Sequence, residues 1–150
     1  MLSHVKRLVP LSVKEFYHQL KNPDHLETEK VALVDRAIEM TGSRSIADNG
    51  GNWRVNGGYT FHALRRHPIE RAVIVDFSFS ARVLRRKKKF PRLDLVEGNF
   101  ALAETAARVG PVDAALFFNV LLHQVKPDWD ETLRNWAGHV RHFVVYNQQY

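Results

Sequence analysis

Residues 72–78, Ala-Val-Ile-Val-Asp-Phe-Ser, decide how we interpret the fold of this chain. Four apolar residues, three of them consecutive and β-branched, lead directly into Asp76. Such an uninterrupted apolar run is typical of a strand in a parallel sheet that is covered on both faces. In open α/β sheets, ligands bind beyond the carboxyl ends of the strands, where a carboxylate can accept hydrogen bonds from sugar hydroxyls. Asp76 is therefore the first candidate binding residue.

The size and composition of the chain indicate one ordinary globular unit. It has 150 residues, of which 45% are hydrophobic and 25% are charged, as is usual for such proteins. Because there is no cysteine, disulfide frameworks and thiolate metal sites are excluded, and we predict no metal site. There is no run of about 18 apolar residues, and Met1 to Pro10 lack the apolar core of a signal peptide, so we expect a cytoplasmic protein with no membrane association.

The net charge of +6 comes from one stretch, Arg82 to Lys89, which contains six cations and no acid. Outside it, 16 basic residues balance 16 acidic ones. The stretch falls on the last turns of a predicted helix, where cations interact favourably with the helix dipole, so a solvated helix end is one interpretation. Binding of an anionic partner, nucleic acid included, is the other.

Two helices are predicted before the first strand. Ser12 and Glu15 form a capping box that opens a helix to about Leu20, and Asp24 with Glu27 repeats this pattern before a second helix. We therefore assign residues 1–43 to an N-terminal helical cap segment and residues 44–150 to an α/β domain.

From residue 44 onward, predicted strands and helices alternate, and the connections are too long for hairpins. This pattern favours an open, mostly parallel sheet of five strands with helices on both faces. The predicted strands are 44–48, 72–76, 93–97, 114–118 and 142–146, and the predicted helices between them are 59–66, 80–89, 102–109 and 127–138.

A glycine-rich loop follows the first of these strands. Residues 49–58 contain four of the eight glycines of the chain, and glycine lets a backbone approach a ligand closely or adopt a positive φ. A purely structural turn is an equally acceptable interpretation. The G-x-G-x-x-G spacing of dinucleotide-binding proteins is absent, which argues against a nicotinamide-dependent enzyme.

Four motifs, taken in order, resemble those of the class I S-adenosylmethionine-dependent methyltransferases. Ile46 to Gly50 is similar to the first motif, which is a strand ending in acid-x-Gly. Val73 to Ser78 is similar to the second motif, whose acid binds the cofactor ribose. Glu97 to Phe100 is similar to the Gly-Asp-x element, with Asn for Asp, and Val112 to His123 to the fourth-strand segment. The resemblance covers residues 44–150 and implies a Rossmann-like sheet of order 3-2-1-4-5.

The resemblance also implies S-adenosylmethionine as the cofactor and gives roles to residues at its adenosyl end. Asp76 would hold the ribose hydroxyls and Phe77 would pack against the adenine. Asn99 and Phe100 would contact the adenine edge. Core packing is the alternative for the two phenylalanines, and a helix cap is the alternative for Asp76.

Further roles follow for the methionine end. Gly50, Gly51 and the backbone of Asn119 would line it, and Asp48 would orient the loop or the ammonium group. His123 is the best candidate for a catalytic base, because imidazole titrates near neutral pH. A helix cap for Asp48, a turn former for Asn119 and a solvated His123 remain the alternatives.

The chain departs from the family in two places. Several residues separate Gly51 from the next glycine pair, and the chain stops at Tyr150, before the sixth and seventh strands that are usual in the family. The predicted fifth strand would then be an exposed apolar edge, and such an edge recruits another strand. We expect a second copy of the chain or a further part of a longer chain to cover it.

The function that the resemblance implies is methyl transfer to a small-molecule acceptor by in-line displacement. The fourth-strand segment lacks the Asn/Asp-Pro-Pro-aromatic run of enzymes that methylate exocyclic base nitrogens, which argues against a nucleobase. The alternative is a non-catalytic scaffold or subunit with the same fold, which binds an anionic partner through Arg82 to Lys89.

Overall fold

The computed structural model of the protein describes residues 24–148, so the helix expected from Ser12 to Leu20 lies outside the described residues. The described chain forms one sheet with helices on both faces. Its helices are α1 (Thr28–Thr41), α2 (Gly58–Arg66), α3 (Ala81–Lys87), α4 (Ala103–Val109) and α5 (Trp129–Ala137), with a short 3₁₀ turn at Leu121–His123. Its strands are β1 (Ser45–Asn49), β2 (Arg71–Asp76), β3 (Leu93–Glu97), β4 (Val112–Phe118) and β5 (Val140–Tyr146).

The five strands are arranged in the order β3-β2-β1-β4-β5, and all four neighbouring pairs are parallel. This confirms the expected sheet and its order. In the register of the sheet, Asp48 lies between Ile74 of β2 and Leu116 of β4. The order of the strands reverses between β1 and β4, which is where open α/β sheets form a crevice for ligands.

Side chains that alternate along each strand form two separate cores, because successive residues of a strand point to opposite faces. On one face, Ile46 and Ile74 pack with residues of α1, α2 and α3. On the other face, Val73 and Phe117 pack with residues of α4 and with Trp136 of α5. Each fully buried apolar side chain of this size contributes roughly 1.5–3 kcal/mol relative to an exposed one.

The start of α1 differs from the expectation. Its N-cap residue is Glu27, whose side chain makes no capping hydrogen bond. Asp24, expected to open the helix, is buried and forms ion pairs with Arg82 (2.7 Å) and Arg86 (2.8 Å) of α3. The capping-box prediction was therefore wrong at Asp24, because two cations that are distant in sequence compete for its carboxylate. Gly42 caps the C-terminal end of α1, with a φ of 65° and an N–H that donates to the Ile38 carbonyl.

The strand β5 forms one edge of the described sheet. Phe143 and Val145 are about 40% exposed there, at 39% and 41%. Within residues 24–148, no strand pairs with the outer side of β5. What covers this edge therefore stays a prediction. None of the helices between residues 24 and 148 is both long enough and apolar enough to cross a membrane.

Candidate functional site

A cleft of about 890 Å³ opens at the carboxyl ends of β1 and β4. Its volume lies in the range of about 300–1,000 Å³ that is typical of small-molecule sites. Its walls come from the segment before α1, from α1 and α2, from the glycine-rich loop and from the chain after β4 and β5. The lining residues are His25, Glu27, Lys30, Asp48, Asn49, Gly50, Gly51, Trp53, Arg54, Val55, Asn56, Tyr59, Phe118, Asn119, Val120, His123 and Gln148.

Asp48 provides a buried carboxylate at the floor of the cleft. It is only 2% exposed, and the Thr60 hydroxyl donates to its Oδ2 at 2.8 Å. Burial raises the pKa of Asp48 to about 6, and the Thr60 hydrogen bond offsets part of this effect. The carboxyl group is therefore mostly ionised at neutral pH and places a negative charge where it can attract a cationic group.

The glycine-rich loop passes close to Asp48 and the chain after β4. Gly50 has a φ of 74°, and its N–H donates to the Val75 carbonyl at 2.7 Å. A Cβ at this position would lie 2.8 Å from Cγ1 of Val120, and one at Gly51 would collide with the Asp48 carboxylate. Both positions therefore require glycine.

The residues inserted between the two glycine pairs form a compact turn. The N–H of Asn56 donates to the Asn52 carbonyl at 2.9 Å, and the N–H of Gly57 donates to the Gly51 carbonyl at 2.8 Å. The insertion thus closes on itself and leaves Gly50 and Gly51 at the cleft. Trp53, within this turn, is 70% exposed at the cleft wall.

Asp76 holds this loop in place. Its Oδ2 accepts hydrogen bonds from the N–H groups of Asn52 (3.0 Å) and Trp53 (3.1 Å), and its Oδ1 accepts one from Phe77 (2.8 Å). A carboxylate can accept about four hydrogen bonds, so one position on Oδ1 remains. Asp76 does not line the cleft, and in this arrangement its main contacts are with its own chain.

The other candidates for the adenosyl end also lie outside the lining of the cleft. Phe77 is 70% exposed beside Asp76. Asn99 accepts the N–H of Ala101 with its Oδ1 at 3.0 Å, which stabilises the turn after β3. Phe100 is buried against Phe117, with ring centroids 6.1 Å apart. These residues therefore lie at the ends of β2 and β3, outside the lining of the cleft.

Asn119 and His123 both line the cleft after β4. Asn119 has a φ of 56°, its N–H donates to the Tyr146 carbonyl at 2.7 Å, and its Oδ1 accepts the N–H of Gln148 at 2.8 Å. These bonds connect the chain after β4 to the chain after β5. His123 ends the 3₁₀ turn and has an exposed side chain.

Asn49 lines the cleft and was not predicted from the sequence. It is 1% exposed, and neither its Oδ1 nor its Nδ2 has a hydrogen-bond partner among the described residues. A buried amide without partners is costly and is usually explained by a group that is absent from the structure. An asparagine between Asp48 and Gly50, at a strand position that is normally apolar, is the sequence signal that could have identified it.

The wall formed by α1 and α2 contains a second polar group that sequence reasoning missed. Lys30 is 7% exposed, lies 3.1 Å from Glu27 and has its ammonium group 5.2 Å from the centre of the Tyr146 ring. Tyr59 accepts the N–H of Glu27 at 3.0 Å, so its own proton is free to point elsewhere. Burial raises the pKa of Tyr59 to about 12, and this hydroxyl therefore stays protonated at neutral pH.

The basic stretch from Arg82 to Lys89 is partly neutralised within the protein. Besides its ion pair with Asp24, Arg86 stacks on the ring of Phe61 at 4.1 Å. Arg85, Lys88 and Lys89 remain exposed. The stretch is thus in part a structural element, and three exposed cations remain for any partner.

No protein-family model matches the sequence, and the search of curated proteins found no match. Solved structures do match. An O-methyltransferase family protein from Burkholderia thailandensis is 21% identical, with a TM-score of 0.62 over 85% of this chain and 37% of that one. The methyltransferase domain of bacterial CtHen1 is 18% identical, with a TM-score of 0.64 over 78% of this chain and 64% of that one.

A third match is the N-methyltransferase NodS from Bradyrhizobium japonicum in complex with S-adenosyl-L-homocysteine. It is 15% identical, with a TM-score of 0.59 over 83% of this chain and 60% of that one. The chain thus spans between 37% and 64% of the length of these three structures. At such identities the comparisons establish the fold. The chain has the fold of the class I S-adenosylmethionine-dependent methyltransferases.

Proposed function

We propose that the protein transfers a methyl group from S-adenosylmethionine to a small-molecule acceptor bound in the cleft. The observation that carries this proposal is the grouping of Asp48, Gly50, Gly51 and Asn119 around one cleft at the switch point of a methyltransferase-fold sheet. NodS, which has the same fold, is described in complex with S-adenosyl-L-homocysteine. Within the α/β domain, residues 44–148 would supply the cofactor site, and the cap segment before residue 44 would contribute to the acceptor side.

The methionine end of such a cofactor fits the residues present. The ionised Asp48 would face the ammonium group, because a buried carboxylate attracts a cation strongly. Gly50 and Gly51 let the backbone pass close to Val120 and Asp48, and both glycines line the cleft where the ligand would lie. The unpartnered amide of Asn49 has both a donor and an acceptor and would satisfy polar groups of the ligand.

At the ribose end, Asp76 has fewer acceptor positions for the cofactor than its carboxylate could offer. Because three backbone N–H groups already occupy the Asp76 carboxylate, it has one acceptor position for a ribose hydroxyl in this arrangement. We propose that a ribose hydroxyl donates one such hydrogen bond to Oδ1 of Asp76. Phe77, with most of its ring exposed, would cover the adenine, and Asn99 and Phe100 would flank it.

When bound, the cofactor supplies a methyl group on a positively charged sulfonium, and positioning of the two reactants accounts for much of the rate in such reactions. The chain supplies groups that position the acceptor. The Tyr59 hydroxyl can donate a hydrogen bond, and the Lys30 ammonium, which pairs with Glu27, can donate another. His123, exposed at the cleft, would remove the proton of the acceptor.

Two substitutions test this proposal. Replacement of Asn49 by Leu removes two unsatisfied polar atoms, so it should stabilise the fold while weakening S-adenosylmethionine binding at least tenfold. His123→Ala should leave cofactor binding unchanged and lower methyl transfer from radiolabelled cofactor at least 100-fold, whereas His142→Ala on the exposed face of β5 should change neither. Unchanged binding in Asn49→Leu would remove the cleft from consideration as the cofactor site.

A second candidate is a non-catalytic scaffold, and the observation that favours it is the occupation of Asp76 by its own loop. In this case Arg85, Lys88 and Lys89 would bind an anionic partner such as nucleic acid, and a second copy or a longer chain would cover β5. Binding of an oligonucleotide would then fall steeply with salt, and a Lys88→Ala, Lys89→Ala variant would have a shallower slope. Salt-independent or absent binding would leave the enzyme as the better explanation.

A further inference from the structure

Two histidines of α2 and its end converge on one carboxylate of α1, away from the cleft. His62 Nε2 lies 2.7 Å and His67 Nε2 lies 2.6 Å from the same oxygen, Oδ1 of Asp35. These three atoms all lie within 4.8 Å of one another. None of the three residues lines the cleft.

The cluster is held on rigid parts of the fold. Asp35 follows Val34, which is fully buried and packs with Ala63 and Leu64 of α2 in the same core. His67 caps the end of α2, where its N–H donates to the Ala63 carbonyl at 2.9 Å. The backbones that carry the three side chains are therefore fixed by core packing on both helices.

Two imidazole nitrogens and one carboxylate oxygen form a donor set that binds first-row divalent metals, zinc in particular. The side chains of His62 and His67 are sheltered, at 18% and 10% exposure, while Asp35 is 34% exposed. The histidines are thus fixed, and the carboxylate side is open to solvent. This leaves both an entry path and room for water as a further ligand.

The present distances are those of hydrogen bonds. A tetrahedral zinc with bonds of about 2.0–2.1 Å keeps its ligand atoms about 3.3 Å apart, so the cluster would have to open by about 0.6 Å. Rotation of the three side chains can supply such a movement without a change in the helices. In the closed arrangement, both hydrogen bonds need a proton on Nε2, and a metal ion would take the place of these two protons.

We propose that Asp35, His62 and His67 bind one zinc-type divalent cation, with water completing its coordination. The ion fastens α1 to α2. These helices also contain Lys30 and Tyr59, which line the cleft, so the ion stabilises one wall of the cleft from behind. This inference is independent of the proposed methyl transfer, and either can fail without the other.

The test uses the tag-free full-length protein after treatment with a chelator. Titration with Co²⁺ should produce visible absorption that saturates at one ion per chain, and Zn²⁺ should displace it with at least micromolar affinity. His62→Ala and His67→Ala should each weaken the binding of both ions at least tenfold. His142→Ala, which removes an exposed histidine of β5, is the matched control and should bind as the wild type does.

Absence of stoichiometric binding, or binding that persists unchanged in both variants, would overturn the proposal and leave a hydrogen-bonded contact between the two helices. Circular dichroism identifies any variant that fails to fold. For that case the wild-type protein provides a direct measurement, since Zn²⁺ should shift the ring nitrogen resonances of two histidines, and assignment of these resonances to other histidines would contradict the site.

Discussion

Replacement of Asp48 by Asn should stabilise the protein at neutral pH. The carboxyl group is 2% exposed, and burial raises its pKa from 3.8 to about 6. The pKa of Asp48 is higher in the folded than in the unfolded chain. The contribution of Asp48 to the free energy of unfolding is therefore complete below pH 3.8 and is lost as the pH rises through about 6. A shift of this size corresponds to about 3 kcal/mol. About 1 kcal/mol of it is already lost at pH 4.5, and all of it by pH 8.

Urea unfolding of the wild type and the Asp48→Asn variant at pH 4.5 and pH 8 measures this contribution. The difference in free energy of unfolding, variant minus wild type, should be about 2 kcal/mol larger at pH 8 than at pH 4.5. Glu39→Gln, which removes an exposed carboxylate of α1, is the control and should differ from the wild type by about 0.5 kcal/mol or less. A difference for Asp48→Asn that does not depend on pH would refute the assigned burial.

Two further substitutions test the packing and the electrostatics of the fold. Trp136→Phe removes the donor to the Phe100 carbonyl (2.7 Å) in a fully buried position, so it should cost about 2–4 kcal/mol in urea unfolding, whereas the exposed Trp129→Phe should be nearly neutral. Asp113 accepts the backbone N–H groups of residues 44–45, which lower its pKa, so its stabilisation is present above pH 3.8 and lost as the pH falls below that value. Asp113→Asn should therefore be less stable than the wild type at pH 7, and this difference should shrink as the pH falls below 3.8, as checked by thermal unfolding.

The strands and helices could be predicted because their signals are local. The apolar run before Asp76 and the alternation of strands with helices identified the sheet, and β3 has the predicted bounds, Leu93–Glu97. Asp24 was assigned wrongly because its partners, Arg82 and Arg86, are about 60 residues away in sequence. A capping motif contains no information about such a competitor.

The site could be predicted only in part, for the same physical reason. Residues next to the strand ends, such as Asp48 and Asn119, have their positions set by the sheet, and both line the cleft. The contacts of Asp76 depend on how an inserted loop folds back, which the spacing of glycines does not specify. The burial of Lys30 and of Asn49 contradicts the usual preference of these residue types for the surface.

The Asp35 cluster is a further case that spacing could not reveal. His62 lies 27 residues and His67 lies 32 residues from their shared acceptor, and only the packing of α1 on α2 brings them together. The sequence predicted no metal site because the chain lacks cysteine, and the short spacing between His62 and His67 does not show that Asp35 lies beside them.

Calorimetric titration of the protein with S-adenosyl-L-homocysteine tests the central claim most directly, which is that the cleft beside Asp48 binds the cofactor. Our account predicts binding of one molecule per chain with a micromolar Kd, weakened at least tenfold in Asp48→Asn although this variant is more stable. No detectable heat at millimolar ligand, with the wild-type protein folded, would contradict it.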